Sequence, residues 1–323
     1  MRLKTLGLVV IFALSCSALL ANEAQSETKI ASVGVLWAGP SPPPPPRLDW
    51  FRQGLRDAGY VEGQNVTIEV RWAQDGPALR GRAGELARAG VAVIAAFGDL
   101  APRMAQQETA TIPIVALADD FVGAGLAPTL ARPVGNTTGV TIFGPELSAK
   151  RLELLREIPP KVSRVAALWD PVTSSQLKAT EDAARSMGIK LQVLEVRGQD
   201  DVARAFEAAK KGQAQALTVL SSPRVSSLVP TIVAMAAKNH LPAIYQWKEH
   251  AEAGGLVSYG PSLAAMWQQT AHVVGKILKG AKPVALPVEQ PTKFELAINL
   301  KTAKALRLTI PPSVLLRADQ VIE

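Results

Sequence analysis

From residue 30 onward, short continuous apolar runs alternate with stretches in which apolar residues recur every three or four positions, the pattern of strands followed by amphipathic helices. Ile30 to Trp37 reads as a buried strand. Leu48, Phe51, Leu55 and Ala58 then share one helical face before Gly59 ends the pattern. Val66 to Trp72 alternates as a strand with one wetter face, Leu79, Ala83, Leu86 and Ala87 give a helix, and Val91 to Phe97 is another buried strand. The same reading predicts a helix around Arg103 to Thr109, a strand from Ile112 to Leu117, a helical turn near Leu126 to Leu130 and an extended segment from Gly139 to Phe143. Such alternation builds a doubly wound lobe.

The rhythm then repeats. A helix lined by Leu147, Leu154, Leu155 and Ile158 ends at a Pro-Pro pair, and strands follow at Arg164 to Trp169, Leu191 to Val196, Ala216 to Leu220, Ala243 to Trp247 and Leu256 to Tyr259. Between them lie helices carrying Leu177, Thr180, Ala184 and Met187, then Val202, Phe206 and Ala209 with Asp200 or Asp201 as cap, then Leu228 to Asn239. Leu263, Met266, Thr270, Val273 and Ile277 mark a long amphipathic helix, and a Pro-rich connection leads to a last strand, Phe294 to Asn299. The expected fold class is α/β, with two Rossmann-like doubly wound lobes. The run Pro42 to Pro46 between the first strand and its helix is expected to be a stiff, extended polyproline surface loop.

Composition supports two lobes. At 323 residues, 48% apolar and 20% charged, the chain is core-forming rather than disordered or collagen-like. Its net charge of +7 is dispersed, the clearest basic pair being Lys210-Lys211, so no nucleic-acid partner is expected. Arg2 and Lys4 precede an apolar run from Leu6 to Leu20 that ends in small and polar residues, the layout of a cleavable secretory signal over residues 1–26. The run is shorter than the ~20 residues that span a bilayer. Cys16, the one cysteine, falls inside it and in a poor lipoprotein context, so the mature chain has neither thiol nor disulfide.

Catalytic motifs fail on spacing. His240, His250 and His272 sit on separate segments with no metal-ligand spacing and read as surface or capping residues. Ser175-Gln176-Leu177-Lys178 lacks the companion elements of penicillin-recognising enzymes, and Gly123-Ala124-Gly125 departs from a dinucleotide fingerprint at Pro128. No cofactor, metal or catalytic residue is assigned. What recurs is chemistry at predicted strand ends, where open parallel sheets bind ligands. These are Trp37, Ala38 and Gly39; Phe97, Gly98 and Asp99; Asp119 and Asp120; Trp169 and Asp170; Ser221 and Ser222; Tyr245 and Trp247; Ser258 and Tyr259. Aromatic faces, hydroxyls and carboxylates in one cleft suit a small polar organic ligand such as an amino acid.

Longer stretches carry a family resemblance: Phe51-Arg52-Gln53-Gly54-Leu55-Arg56-Asp57-Ala58-Gly59-Tyr60-Val61-Glu62-Gly63-Gln64-Asn65, Thr111-Ile112-Pro113-Ile114-Val115, Pro145-Glu146-Leu147-Ser148 and Lys150-Arg151-Leu152-Glu153-Leu154-Leu155. To these add Leu241-Pro242-Ala243-Ile244-Tyr245, Ala253-Gly254-Gly255-Leu256-Val257-Ser258-Tyr259-Gly260 and Pro291-Thr292-Lys293-Phe294-Glu295-Leu296. The chain resembles the periplasmic substrate-binding proteins of ABC transporters, in the tryptophan/tyrosine-type group. The resemblance implies the type I periplasmic-binding fold, with three crossovers near Gly139 to Pro145, Ser258 to Pro261 and Pro287 to Phe294. It divides the chain into an N-terminal lobe, 27–143 plus 261–290, and a C-terminal lobe, 144–260 plus 291–323. It further implies a monomeric periplasmic protein that closes on a solute and hands it to an inner-membrane ABC permease.

Departures from that family fall at the pocket. Ala96-Phe97-Gly98-Asp99-Leu100 replaces a small-hydroxyl turn, Asp120-Phe121-Val122-Gly123 replaces Asp-Pro-Val-Gly, and Trp169-Asp170-Pro171 replaces Trp-Asn-Pro. They point toward an aromatic or cationic ligand. Two other functions stay open at this stage, an enzyme using Asp99, Asp120 or Asp170 as base and a sensor subunit of a membrane receptor.

Overall fold

The computed structural model describes residues 30–159 and 162–323. The expected signal segment and Cys16 lie outside the described residues. The chain forms two sheets. The first contains β1 (Ala31–Trp37), β2 (Val66–Trp72), β3 (Val93–Phe97), β4 (Ile114–Ala118) and β5 (Thr137–Thr141), all parallel in the order β2-β1-β3-β4-β5. Strands β3, β4 and β5 are buried throughout because helices cover both faces, which is why their sequences are unbroken apolar or small runs. Helices α1 (Arg47–Asp57), α2 (Gly76–Ala89) and α3 (Leu100–Glu108) return the chain between these strands.

The second sheet repeats that order and extends it. It uses β6 (Arg164–Trp169), β7 (Lys190–Glu195), β8 (Ala216–Val219), β9 (Ala243–Tyr245), β10 (Val257–Pro261), β11 (Phe294–Asn299) and β12 (Gln320–Ile322), ordered β12-β11-β10-β9-β8-β6-β7. Only the β10–β11 pair is antiparallel. The flanking helices are α4 (Ser148–Glu157), α5 (Ser174–Ser186), α6 (Gln199–Lys211), α7 (Pro223–Lys238) and the short α8 (Lys248–Glu252). The chain then crosses back to the first sheet. In α9 (Leu263–Leu278), Met266, Trp267, Ala271, Val274 and Ile277 pack with Val33, Val35, Phe51 and Val115 of the first core. Short helices α10 (Leu300–Ala305) and α11 (Pro312–Leu315) finish the second. None of the described helices is long and apolar enough to cross a membrane.

Several local expectations are corrected. Residues 126–130 are bends and irregular backbone after a turn at 121–125, not helix: Leu126 N–H bonds to the Phe121 carbonyl, and Pro128 lacks the donor a continuing helix needs. Helix α7 starts at Pro223, earlier than the apolar spacing indicates, because the Ser222 hydroxyl accepts the Val225 N–H at 3.1 Å and Pro223 is preset for the first turn. Gly198, not Asp200 or Asp201, caps α6, and the Asp201 carboxylate instead accepts the Arg197 N–H. The proline run is not uniformly extended. Residues 39–42 bend, and Arg47 N–H bonds back to the Pro44 carbonyl at 3.1 Å to turn the chain into α1.

Candidate functional site

In a sheet ordered 2-1-3-4-5 the chain reverses direction of winding between strands 1 and 3, leaving a crevice beyond their carboxyl ends. Here the two crevices face each other. From the first come Trp37, which ends β1, Phe97, which ends β3, and Gly98 just after it. From the second come Ser221 and Ser222, following β8, with Pro223 opening α7. Between them is a partly open cavity whose walls also include Arg47, Asp119, Trp247 and Trp267.

Its first-sheet wall is aromatic. The Trp267 ring stacks on Phe97 with centroids 3.8 Å apart and planes 11° apart, and Trp37 lies 5.9 Å from Trp267 at 48°. Phe51 braces Phe97 edge-on at 5.8 Å. A Cβ on Gly39 would lie 2.1 Å from the Trp37 indole nitrogen, so only glycine lets the loop fold over that ring. Arg47, the first residue of α1, sets its guanidinium 5.0 Å from the centroid of the Trp37 ring, a cation–π contact. Burial lowers the Arg47 pKa to about 10, opposed by the nearby Glu249 charge, and the side chain stays a cation at neutral pH.

The second-sheet wall is built on hydroxyls. Trp247 donates its indole N–H to the Ser221 Oγ at 2.8 Å and at the same time packs into the first sheet's core. Ser222 donates to Asp170 Oδ2 at 2.8 Å, and Arg224 stands 3.6 Å from Asp170 Oδ1. Arg224 also donates across the cleft to the Gln74 carbonyl at 3.2 Å. Gly98 touches the opposite wall too: it has φ of 86°, and a Cβ there would lie 2.9 Å from Pro223 Cγ.

Asp119 borders the cavity, buried, with Oδ1 lacking a hydrogen-bond partner among the described residues. Burial drives its carboxyl up to about 7, while Gln246, Arg151 and Gln176 hold it back and Asp120 adds to the rise. Arg151, buried in α4, donates to the Tyr259 carbonyl at 2.9 Å and to the Gly144 carbonyl at 3.4 Å, tying two of the chain's crossings between sheets together.

Of the residues expected at the site, the cavity gathers Trp37, Phe97, Gly98, Asp119, Ser221, Ser222 and Trp247. Gly39 supports it. Ala38 packs under Leu36 and Leu79 instead. Asp99 accepts the Asp119 backbone N–H at 2.8 Å, its carboxyl pushed up by burial and by the Asp119 charge. Asp120 accepts the Gly123 N–H and stabilises its own turn. Asp170 is consumed by Ser222 and Arg224, and half-buried Trp169 stays outside the cavity. Tyr245 lies in the second core against His250, Ser258 is fully buried in β10, and Tyr259 stacks on Phe294 at 6.3 Å. His250 is buried rather than on the surface, and that burial pushes its ring down to about 3. No group of metal-binding side chains forms among the described residues. Arg47, Trp267, Leu263 and Ser226 line the cavity although their sequence context marks them as helix or loop residues only.

The comparisons agree with this architecture. The sequence profile of the ABC transporter substrate binding protein family matches residues 47–322. A tyrosine-binding protein of Clostridioides difficile strain R20291 is 27% identical over 81% of this chain and 77% of its own. Among solved structures, a conserved domain protein of Vibrio cholerae O1 biovar El Tor is 29% identical with a TM-score of 0.83, covering 91% of this chain and 100% of that one. An ABC domain from Streptococcus pneumoniae in complex with L-Trp is 26% identical with a TM-score of 0.81, covering 90% and 99%. The fold is thus that of the type I periplasmic-binding proteins. The Clostridioides difficile relative is by name a binding protein and the Streptococcus structure holds L-Trp, and the family implies a small-molecule ligand and an ABC transporter, generally outside the cytoplasm. With a match over most of its length, this chain belongs to the ABC transporter substrate binding protein family.

Proposed function

We propose that this chain captures a small solute bearing an aromatic ring and a carboxylate, an amino-acid-like molecule, between its two sheets and delivers it to an ABC importer. The observation that carries this reading is one cavity whose walls come from both sheets and combine aromatic rings, serine hydroxyls, one cation and one buried acid. Trp37, Phe97 and Trp267 take the ring, Arg47 takes the carboxylate, and Asp119 accepts a hydrogen bond from an ammonium, indole or phenol donor. Of the ligand chemistries the sequence suggests, Arg47 favours the amino-acid-like one. Two relatives whose ligands are tyrosine and L-Trp support the same choice.

The mechanism is hinge closure. Of the described residues, 30–143 with 261–290 form one lobe and 144–159, 162–260 and 291–323 the other, and a ligand touching both favours the closed arrangement by its differential affinity. Contacts such as Arg224 to Gln74 and Gly98 against Pro223 belong to that arrangement. Catalysis is not part of the reading: Asp99, Asp120 and Asp170, the acids an enzyme would use as base, are each engaged by protein groups and stand outside the cavity. Export to the periplasm by residues 1–26, a monomeric state and an inner-membrane permease as receiver complete the proposal.

The test is thermal unfolding with L-tryptophan and L-tyrosine beside native mass spectrometry. Saturation to ~100 times Kd raises stability by about 2.7 kcal/mol. The reading requires a mass increase of one intact ligand and no product; turnover of the ligand, or no shift with any aromatic amino acid, contradicts it.

A further inference from the structure

The cavity does not end at Arg47. A second, partly open compartment adjoins it, and Trp37, Arg47, Pro223 and Ser226 form walls of both. Its own walls are Pro40, Ser41 and Pro44 from the proline-rich loop, facing Ser227 and Pro230 across the cleft. Pro223, Ser226, Ser227 and Pro230 have the i, i+3, i+4, i+7 spacing of one face of α7. The buried stripe of that helix is a different one, Val225, Leu228, Val229 and Ile232, so the proline–serine face is left for the cleft.

The residue types matter. Proline rings have no side-chain rotamer freedom to lose and serines are too short to cross a gap, so these walls hold a space open and present rigid apolar faces to whatever enters. The loop opposite is stiffened by its own prolines. Asp119 borders only the inner compartment, whereas the one cation on these walls stands at the junction of the two.

Resting on the function proposed above, we infer that the ligand is longer than a free amino acid: an N-acylated aromatic amino acid, including a dipeptide with a C-terminal aromatic residue. One carbon then carries three groups in the directions the walls require. The carboxylate meets Arg47 at the junction, the ring enters the inner compartment with its N–H or O–H toward Asp119, and the acyl or N-terminal residue lies between the proline loop and α7.

Isothermal titration of the purified protein with L-tryptophan, N-acetyl-L-tryptophan and L-leucyl-L-tryptophan tests this. The two extended probes bind at least ~10-fold more tightly than L-tryptophan, since they fill a preformed space. Whether acetyl or leucyl gives the larger gain separates acylated amino acids from dipeptides as the source. Ser227→Trp, at an exposed position bordering only the outer compartment, removes the gain and leaves L-tryptophan binding unchanged. L-tryptophan binding as tightly as or more tightly than both extended probes, or a gain that survives Ser227→Trp, overturns the inference while the amino-acid reading stands. Failure of all three probes to bind overturns both.

Discussion

The two walls of the cleft occupy equivalent places in sheets with the same strand order, yet they differ in chemistry. The first presents contacting rings, Phe97 stacked on Trp267 with Trp37 tilted against it; the second presents Ser221, Ser222 and Pro223 and contributes a single ring, Trp247. Even the matched tryptophans diverge. Trp37 ends β1 and lines the cavity, whereas Trp169 ends β6 and stays outside it. Topology therefore fixes where a ligand can sit, and the residues just past each strand decide what it meets. The aromatic wall supplies buried apolar area; the serine wall, with Ser222 held by Asp170 and Ser221 by the Trp247 indole N–H, supplies orientation.

The largest effect expected from breaking this contrast is on the aromatic side. Trp267→Ala removes a fully buried ring shared by the first core and the cavity and should cost about 3–5 kcal/mol in urea unfolding. Arg47→Ala should weaken L-tryptophan binding by about 100-fold in titration calorimetry, as for loss of a buried charge partner, with little loss of fold stability. On the serine wall, Ser221→Ala strands the Trp247 indole N–H and should cost about 1–3 kcal/mol of stability. Equal losses from Trp267→Ala and Ser221→Ala would erase the distinction between the walls.

The smallest effects concern pH. Asp119 is raised to about 7, so between its unfolded value and 7 the folded state binds more protons than the unfolded one, and stability falls as pH rises through that window. His250 is lowered to about 3, so below its unfolded value the unfolded state binds more protons, and stability falls as pH drops toward 3. The two dependences oppose each other over most of this range, and buried Asp99 adds to the first, so the slope of thermal midpoint against pH, followed from pH 4 to 7, should be more positive in Asp119→Asn than in the wild type. An unchanged slope in Asp119→Asn would contradict the assignment to Asp119.

The alternation of elements was legible because buried parallel strands are written as continuous apolar runs and their helices as three-to-four-residue repeats. Where the reading slipped, single polar groups decided: the Ser222 hydroxyl moved the start of α7, and Pro128 stopped a helix. The site was partly legible. Position at a strand end predicted Trp37, Phe97, Ser221 and Trp247, but side-chain direction was not readable there. Tyr245 shares the face of Ala243 in one core while Ile244 belongs to the other, as period-two alternation demands, and so it turns away from the cavity. Trp267 and Arg47 come from helices, where an apolar stripe or a first-turn arginine reads as packing or surface until the third dimension brings them to the cleft.

A co-crystal structure with L-tryptophan decides whether one molecule is held between the two sheets. The indole is expected among Trp37, Phe97 and Trp267, the carboxylate within hydrogen-bond distance of the Arg47 guanidinium, and atoms from both sheets in contact with one molecule. A ligand held by one sheet alone, or seated away from Arg47, would contradict the proposed function.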